Sequence, residues 1–416
     1  MKVLMLGWEF PPFFAGGAGI VCYELTKEMV KMDDVDLTYV MPFGPDEVVN
    51  QHLRVLIANK FKGKKINFKK IPSLLGAYMT QESYIKERQR LINCGDLKMG
   101  SDNTLSLYGG NLIAEVYNFA ERVNTIIDDE DFDVVHAHDW TTFPAAIRAS
   151  EQMKKPLIVH MHITEFDKSG GAGADPHVYS IEKEGMDKAD KIITISERVK
   201  QRLIESYHID PSKIEIIYHA KIDVGSNGGL DLPKIKDKNK IVLFAGRMTL
   251  QKGADYFIEA AAKVANFYKN VIFVMIGSGD QMNQMIRKVA AMGLQDKVLF
   301  HGFYTRDEAN KFFSMADVYV MPSVSEPFGL IPLEAMSKET PTIISKQTGA
   351  SEILNNVLKV DFWDTNKMAN QIVSLLKYNE LHNTMKKEGL SEVNKLTWDK
   401  PARRCVDIYR ELTGNK

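Results

Sequence analysis

Arg247 and Lys252 flank the turn that follows an apolar run, Lys240-Ile-Val-Leu-Phe-Ala-Gly246. Two fixed cations at such a turn can neutralise a diphosphate without a metal ion. They also suit a solvated turn that binds nothing. Glu326 and Glu334 stand eight residues apart in Ser325-Glu-Pro-Phe-Gly-Leu-Ile-Pro-Leu-Glu-Ala-Met336. Carboxylates accept hydrogen bonds from hydroxyls, as on a sugar or a ribose. Between them, Phe328, Gly329 and Leu330 offer backbone N–H groups to an anion beside the positive end of a helix dipole. The same stretch also reads as a capped loop in which Glu334 favours the helix N-terminus. His136 with His138, and His160 with His162, are two His-x-His pairs. On a strand each pair shares a face, so four imidazoles could converge on a metal, with Asp139 as a nearby carboxylate. One histidine of each pair could equally pack within a sheet. Gly16-Gly17 lets backbone N–H groups approach a phosphate, or makes a tight turn onto a helix.

The elements that must position these residues follow from periodicity and from punctuation by proline and glycine. Pro322, Pro327 and Pro332 forbid a long helix or a paired strand between them. The expectation is a strand over 317–321, a loop, then a helix from about Pro332, where the missing N–H costs nothing. At the start, a strand over 2–6 enters a glycine-rich loop and a helix over 20–32. That is the opening of a doubly wound α/β domain with its ligand at the strand's carboxyl end. The loop lacks G-x-G-x-x-G spacing, which disfavours a nicotinamide enzyme. Further strands are expected over 35–41, 133–140, 157–162, 190–196 and 214–218, with a helix over 111–127. Residues 163–179 read as a mobile glycine-rich active-site loop, followed by a helix over 180–186. Ser196 caps a helix over 197–207. A linker over 224–239 divides an N-terminal domain, 1–223, from a second one, 240–396. There, strands over 240–247, 271–276 and 298–300 alternate with helices over 254–268, 282–292 and 307–314. A helix N-terminus is expected at 351–354, and helices over 365–378, 380–390 and 398–412. The fold class is α/β, with two doubly wound parallel sheets.

Composition narrows the function classes. The chain has 416 residues, enough for two cores. Its net charge of -1 gives no overall field for nucleic acid or an anionic membrane. Three cysteines, Cys22, Cys94 and Cys405, suit a reducing compartment and no disulfide framework. No apolar run approaches the roughly 18 residues of a membrane span, and a cytoplasmic location is expected. The six lysines between Lys60 and Lys70 read as a solvated face. Residues 73–110 read as an irregular insertion bordering the acceptor side, with a short helix near 81–91.

The stretch from Ser325 to Met336 resembles the two-glutamate signature of retaining GT-B fold glycosyltransferases, and is similar to glycosyltransferase family 4 and its glycogen-synthase-like members. Gly246-Arg-x5-Gly253, His136-Ala-His-Asp-Trp140, the Gly16-Gly17 turn and Thr397-Trp398 extend the resemblance over nearly the whole chain. It implies that Arg247 and Lys252 hold the donor diphosphate, with Gly16 and Gly17 facing it. It assigns the ribose to Glu334, the donor sugar to Glu326, and phosphate or sugar oxygens to the amides of Phe328, Gly329 and Leu330. His162 would lie near the anomeric carbon, with His138 and Asp139 on the acceptor side. The last helix, from about 397, would cross back onto the first domain. The implied reaction moves a hexosyl group, glucosyl first, from a UDP-, ADP- or GDP-sugar to a glycan or other hydroxyl, with retention and without metal or other cofactor. The partners implied are donor and acceptor, with neither nucleic acid nor membrane. Two other readings stand beside it: a non-catalytic glycan-binding protein of the same fold, and a metal-dependent hydrolase built on the His-x-His pairs. At His219-Ala-Lys-Ile-Asp223 the chain departs from the relatives' Asn-Gly-(Val/Ile)-Asp.

Overall fold

A computed structural model describes residues 1–11, 17–42, 54–58, 112–170, 173–222 and 238–414. Gly16, the Lys60–Lys70 run, the helix read near 81–91, Cys94 and most of the linker lie outside these residues. Among the described residues the strands form a sheet of seven and a sheet of six. The first comprises β1 (Lys2–Leu6), β2 (Asp36–Met41), β3 (Arg54–Ile57), β4 (Val134–His138), β5 (Leu157–Met161), β6 (Lys191–Thr194) and β7 (Ile214–Ile216), in the order β3-β2-β1-β4-β5-β6-β7. The second comprises β8 (Lys240–Ala245), β9 (Val271–Ile276), β10 (Val298–Gly302), β11 (Val318–Met321), β12 (Thr342–Ser345) and β13 (Leu358–Val360), in the order β10-β9-β8-β11-β12-β13. The strand pairs are parallel.

Parallel sheets are covered on both faces, so their central strands run apolar without alternation. Val3 to Leu6 and Ile241 to Ala245 are buried for that reason. In each sheet the strand order reverses beside the first strand, at β1/β4 and at β8/β11. Ligands of doubly wound sheets bind outside the carboxyl ends at such points. The turns after these strands therefore frame the site.

The last helix, Asp399–Thr413, packs on the first helix, Gly17–Met29. Its Cys405, Val406 and Tyr409 share an apolar cluster with Val3, Cys22 and Met29 of the first domain. Trp398 Nε1 donates to Lys221 O at 2.8 Å, tying the return crossing to the segment after β7.

Several expectations need correction. Residues 163–179 are not loop throughout: Glu165–Lys168 is a helical turn, closed by a capping box between Thr164 and Asp167. The next helix begins at Pro176, not at residue 180, because Asp175 caps it and proline suits its first turn. The first helix begins at Gly17 and ends at Met29. At 349–352 the chain makes a 3-10 turn, Gly349–Glu352, rather than an α-helix start. Strands β3, β12 and β13 have no counterpart in the periodicity. Among the described residues no helix is long and apolar enough to cross a membrane.

Candidate active site between the two sheets

The segment after β11 is held by backbone, not by side-chain packing alone. Glu326 N donates to Gln347 O at 3.1 Å, Gly349 N donates to Glu326 O at 2.9 Å, and Ala350 N donates to Phe328 O at 2.8 Å. The turn after β8 comes against it at Gly253. That residue has φ of 66° and a Cβ there would lie 2.0 Å from Pro322 O, so only glycine allows the approach. Lys252 consequently forms an ion pair with Glu326, their side chains 15% and 11% exposed. Arg247, five residues before Lys252, is exposed on the same turn. Gly329 takes φ of 97° just before the short helix Ile331–Ser337. Glu334 lies in the first turn of that helix. Burial raises its pKa, with Arg306 opposing.

From the first domain, Gly17 faces this segment: a Cβ there would lie 3.6 Å from Leu330 Cδ1. His138 ends β4, and Asp139 follows in a left-handed conformation, φ 57°. That turn lets Asp139 Oδ1 accept from His162 N at 2.8 Å, while His138 Nδ1 and His162 Nε2 lie 2.9 Å apart. A pocket beside them is lined by Trp8, Glu9, Asp139, Trp140, Thr141 and Lys168. Below it, Glu182 accepts from Glu165 N at 3.0 Å and from Tyr207 Oη. Burial pushes the Glu182 carboxyl up to about 8.

The His-x-His pairs do share one face, and they form a buried row with His219. His136 and His160 are 5.4 Å apart with ring planes 5° from parallel, and His160 and His162 are 4.3 Å apart at 19°. Ligand lone pairs lie in the ring plane, and parallel planes aim them alongside one another instead of at one centre. Ligand atoms of His136, His138 and His160 do lie within 4.8 Å of one another, as do those of His160, His162 and His219 and those of Cys22, His138 and His162, so the row brings metal-ligating atoms together at three buried points. Burial lowers the pKa of His162, opposed by Asp139, and keeps His138, His160 and His219 well below the usual imidazole range. His219 fills the point of departure from the Asn-Gly pattern: its ring lies 5.4 Å from His162, 5.0 Å from Phe328 and 5.7 Å from Trp398.

A set of cross-domain contacts has no signal in the motif spacing. Ser196 Oγ donates to Pro327 O at 2.6 Å, and Ser325 Oγ donates to Asp167 Oδ1 at 3.1 Å. The Glu352 carboxylate accepts from Glu197 N and Arg198 N, at 2.8 and 2.9 Å. The one local clue was Thr164-x-x-Asp167, a capping-box spacing.

Comparison with known proteins adds the family. Residues 232–391 match the glycosyl transferases group 1 family, and residues 105–220 match glycosyltransferase family 4. Both matches are to glycosyltransferase families, one in each half of the chain. An uncharacterized glycosyltransferase of Methanocaldococcus jannaschii is 25% identical over 99% of this chain and 98% of its own length. A D-inositol 3-phosphate glycosyltransferase of Mycolicibacterium smegmatis is 28% identical over 52% of this chain and 53% of its own. Among solved structures, a sucrose-phosphate synthase of Thermosynechococcus elongatus superposes with a TM-score of 0.72 at 19% identity over 100% of both chains. An Anabaena protein solved with UDP and glucose gives 0.67 at 15% identity, over 99% of this chain and 100% of its own. The glycosyltransferase therefore has a GT-B fold of two Rossmann-like domains.

Proposed function

We propose that this glycosyltransferase moves a hexosyl group, glucosyl first, from a nucleotide-sugar to a glycan or other hydroxyl acceptor, with retention. An α-glucan is the first acceptor to test, since His136-Ala-His-Asp-Trp140 and the opening Trp8-Glu-Phe-Pro-Pro resemble segments of glycogen-synthase-like enzymes. The observation that carries the reading is the Lys252–Glu326 pair at the carboxyl edge of the second sheet. It sets side by side a cation for a phosphate and a carboxylate for a sugar hydroxyl. The fold shared with proteins solved with UDP and with UDP-glucose supports a nucleotide-sugar donor.

In this reading Arg247 and Lys252 neutralise the leaving diphosphate. Glu334 accepts from the ribose hydroxyls and Glu326 from the sugar, while Phe328, Gly329, Leu330 and Gly17 present backbone N–H groups. The acceptor hydroxyl attacks the anomeric carbon from the face the phosphate leaves. The bond from that carbon to the phosphate oxygen breaks, the bond to the acceptor oxygen forms, and the acceptor's proton passes to the departing phosphate. His162, kept neutral by burial, lines the sugar without adding a charge. His138 and Asp139 shape the acceptor side. Two fixed cations make a metal ion unnecessary, and the reaction belongs in the cytoplasm, where sugar nucleotides are made.

The test is a thermal-shift screen with UDP-, ADP- and GDP-sugars. A ligand at 100 times its Kd adds about 2.7 kcal/mol. A shift with one nucleotide series, followed by release of that nucleoside diphosphate and an α-linked product in the presence of EDTA, is the expected result. No shift with any sugar nucleotide overturns the reading. Loss of activity with EDTA, restored by zinc, returns the histidines to a metal site.

A further inference from the structure

Asp167 and Arg198 belong to no motif of the donor site and Ser325 has no role assigned in the one it opens, yet together they join its two halves. Ser325 immediately precedes Glu326, and Thr164 follows His162 by two residues. Between these points runs an unbroken chain of side-chain hydrogen bonds. Arg198 Nη2 donates to Ser325 Oγ at 3.3 Å, and Ser325 Oγ donates to Asp167 Oδ1 at 3.1 Å. The second carboxylate oxygen, Asp167 Oδ2, accepts from Thr164 Oγ1 at 2.7 Å and from Thr164 N at 3.3 Å. Ser325 and Asp167 are buried, so water does not compete with these bonds. A serine hydroxyl that accepts one bond and donates another is held in a single rotamer. Asp167, using both oxygens, cannot turn without breaking one of its bonds.

We propose that Asp167, Ser325 and Arg198 are positioning residues for sugar transfer, holding the Glu326 carboxylate in register with the His162 segment of the opposite domain. The inference rests on the reading of Glu326 as the carboxylate that meets the donor sugar. It goes further in naming first-domain residues that place a second-domain group. Ser325 is the point where the register is set, since it carries the one side chain of the relay on the second domain. Without its hydroxyl, Arg198 and Asp167 can still face each other, but neither holds the segment that carries Glu326. Lys252 and Arg247 lie on the other turn, and the relay reaches them only through the Lys252–Glu326 pair.

The test is calorimetric titration of wild type, Ser325→Ala, Ser325→Thr and Asp167→Asn. The ligands are UDP, ADP and GDP, and the matching UDP-, ADP- and GDP-glucose. The readout is the affinity that glucose adds over the bare nucleoside diphosphate. Misplacement of a positioned group by an ångström costs up to about a hundredfold, so Ser325→Ala and Asp167→Asn should lose about tenfold of the glucose contribution while bare-nucleotide affinity does not fall, and rises where Lys252 is released from Glu326. Ser325→Thr, which keeps the hydroxyl, should recover most of that loss. Melting temperatures should match wild type within a few degrees. A glucose contribution unchanged in Ser325→Ala, or absent already in wild type, overturns the proposal. So does a parallel loss of nucleotide affinity and melting temperature, which marks a structural role. A wild type that binds none of the six ligands fails in a different way, and removes the donor reading itself.

Discussion

In the proposed site a diphosphate arriving at Lys252 meets a competitor, because the ammonium is already paired with Glu326. Both side chains are largely out of water, so the pair is weakly screened and its cation is not given up without cost. Glu326→Gln keeps the shape and removes the charge. Bare nucleoside diphosphate should then bind tighter by about three- to tenfold at low salt, with the gain shrinking as salt rises. Donor turnover should fall by roughly a hundredfold or more, since the sugar loses a charged acceptor. Titration with UDP, ADP and GDP at two salt concentrations checks the sign. Weaker binding in Glu326→Gln would mean that Glu326 helps the diphosphate instead of competing with it. Arg247→Ala and Lys252→Ala should each lower turnover by roughly 10²–10³-fold, and kcat/KM near wild type in both would remove them from the site. The types and spacing of these three residues were legible in the chain; the pairing was not. Lys252 and Glu326 are 74 residues apart, and their turns meet through Gly253 against Pro322 O and through Val324 N donating to Gln251 O at 2.9 Å.

The strands carrying the histidines set how stability answers to pH. Burial pushes His136 down to about 3, and lowers His138, His160, His162 and His219 as well. In the unfolded chain these rings take up protons near the usual 6.5. Their folded pKa values are depressed, so the stability they leave intact is present above about 6.5 and is lost as pH falls from there toward about 3. Each contributes at most about 1.4 kcal/mol per pH unit. Glu182 acts in the opposite sense. Its pKa is raised to about 8, so its contribution is full below the usual 4.5 and is lost as pH rises through about 8. Burial raises Glu334 and Glu115 in the same sense as Glu182, but five imidazoles outnumber three carboxyls, and urea midpoints should fall between pH 7 and pH 5. A flat profile over that range would mean that the imidazoles are hydrated and not buried together. The row was legible as two His-x-His pairs, since a strand's period of two dictates a shared face. His219 was not, because nothing local brings the segment after β7 beside β5. Short strands failed for a related reason. Thr342–Ser345 and Leu358–Val360 are four and three residues long. Their strand character comes from pairing with β11 and with each other, which no window of sequence contains.

The two-sheet architecture could be read from alternating strands and helices, because each αβ unit carries its own signal; the contact between the halves belongs to neither. Glu352 lies on the second domain, and its carboxylate caps the first two N–H groups of the helix Glu197–Tyr207 on the first. A negative charge at a helix N-terminus contributes about 1 kcal/mol, and here the two partners are on different bodies. The contribution therefore favours one relative placement of the domains over others. Gly349, three residues earlier, has no room for a side chain, since a Cβ would meet Ser196 Cβ at 2.7 Å. The surfaces are thus fitted as well as charged. Glu352→Ala should shift the population toward arrangements with the halves apart. Small-angle scattering should show a larger radius of gyration than wild type without nucleotide. Turnover should fall several-fold while nucleoside diphosphate affinity, which the proposed site draws mainly from Arg247 and Lys252 of the second domain, stays near wild type. Glu352→Gln keeps one acceptor oxygen for two donors and should lie between the two. Identical scattering curves for wild type and Glu352→Ala, with turnover intact, would show that the cap stabilises its helix alone and has no part in holding the cleft.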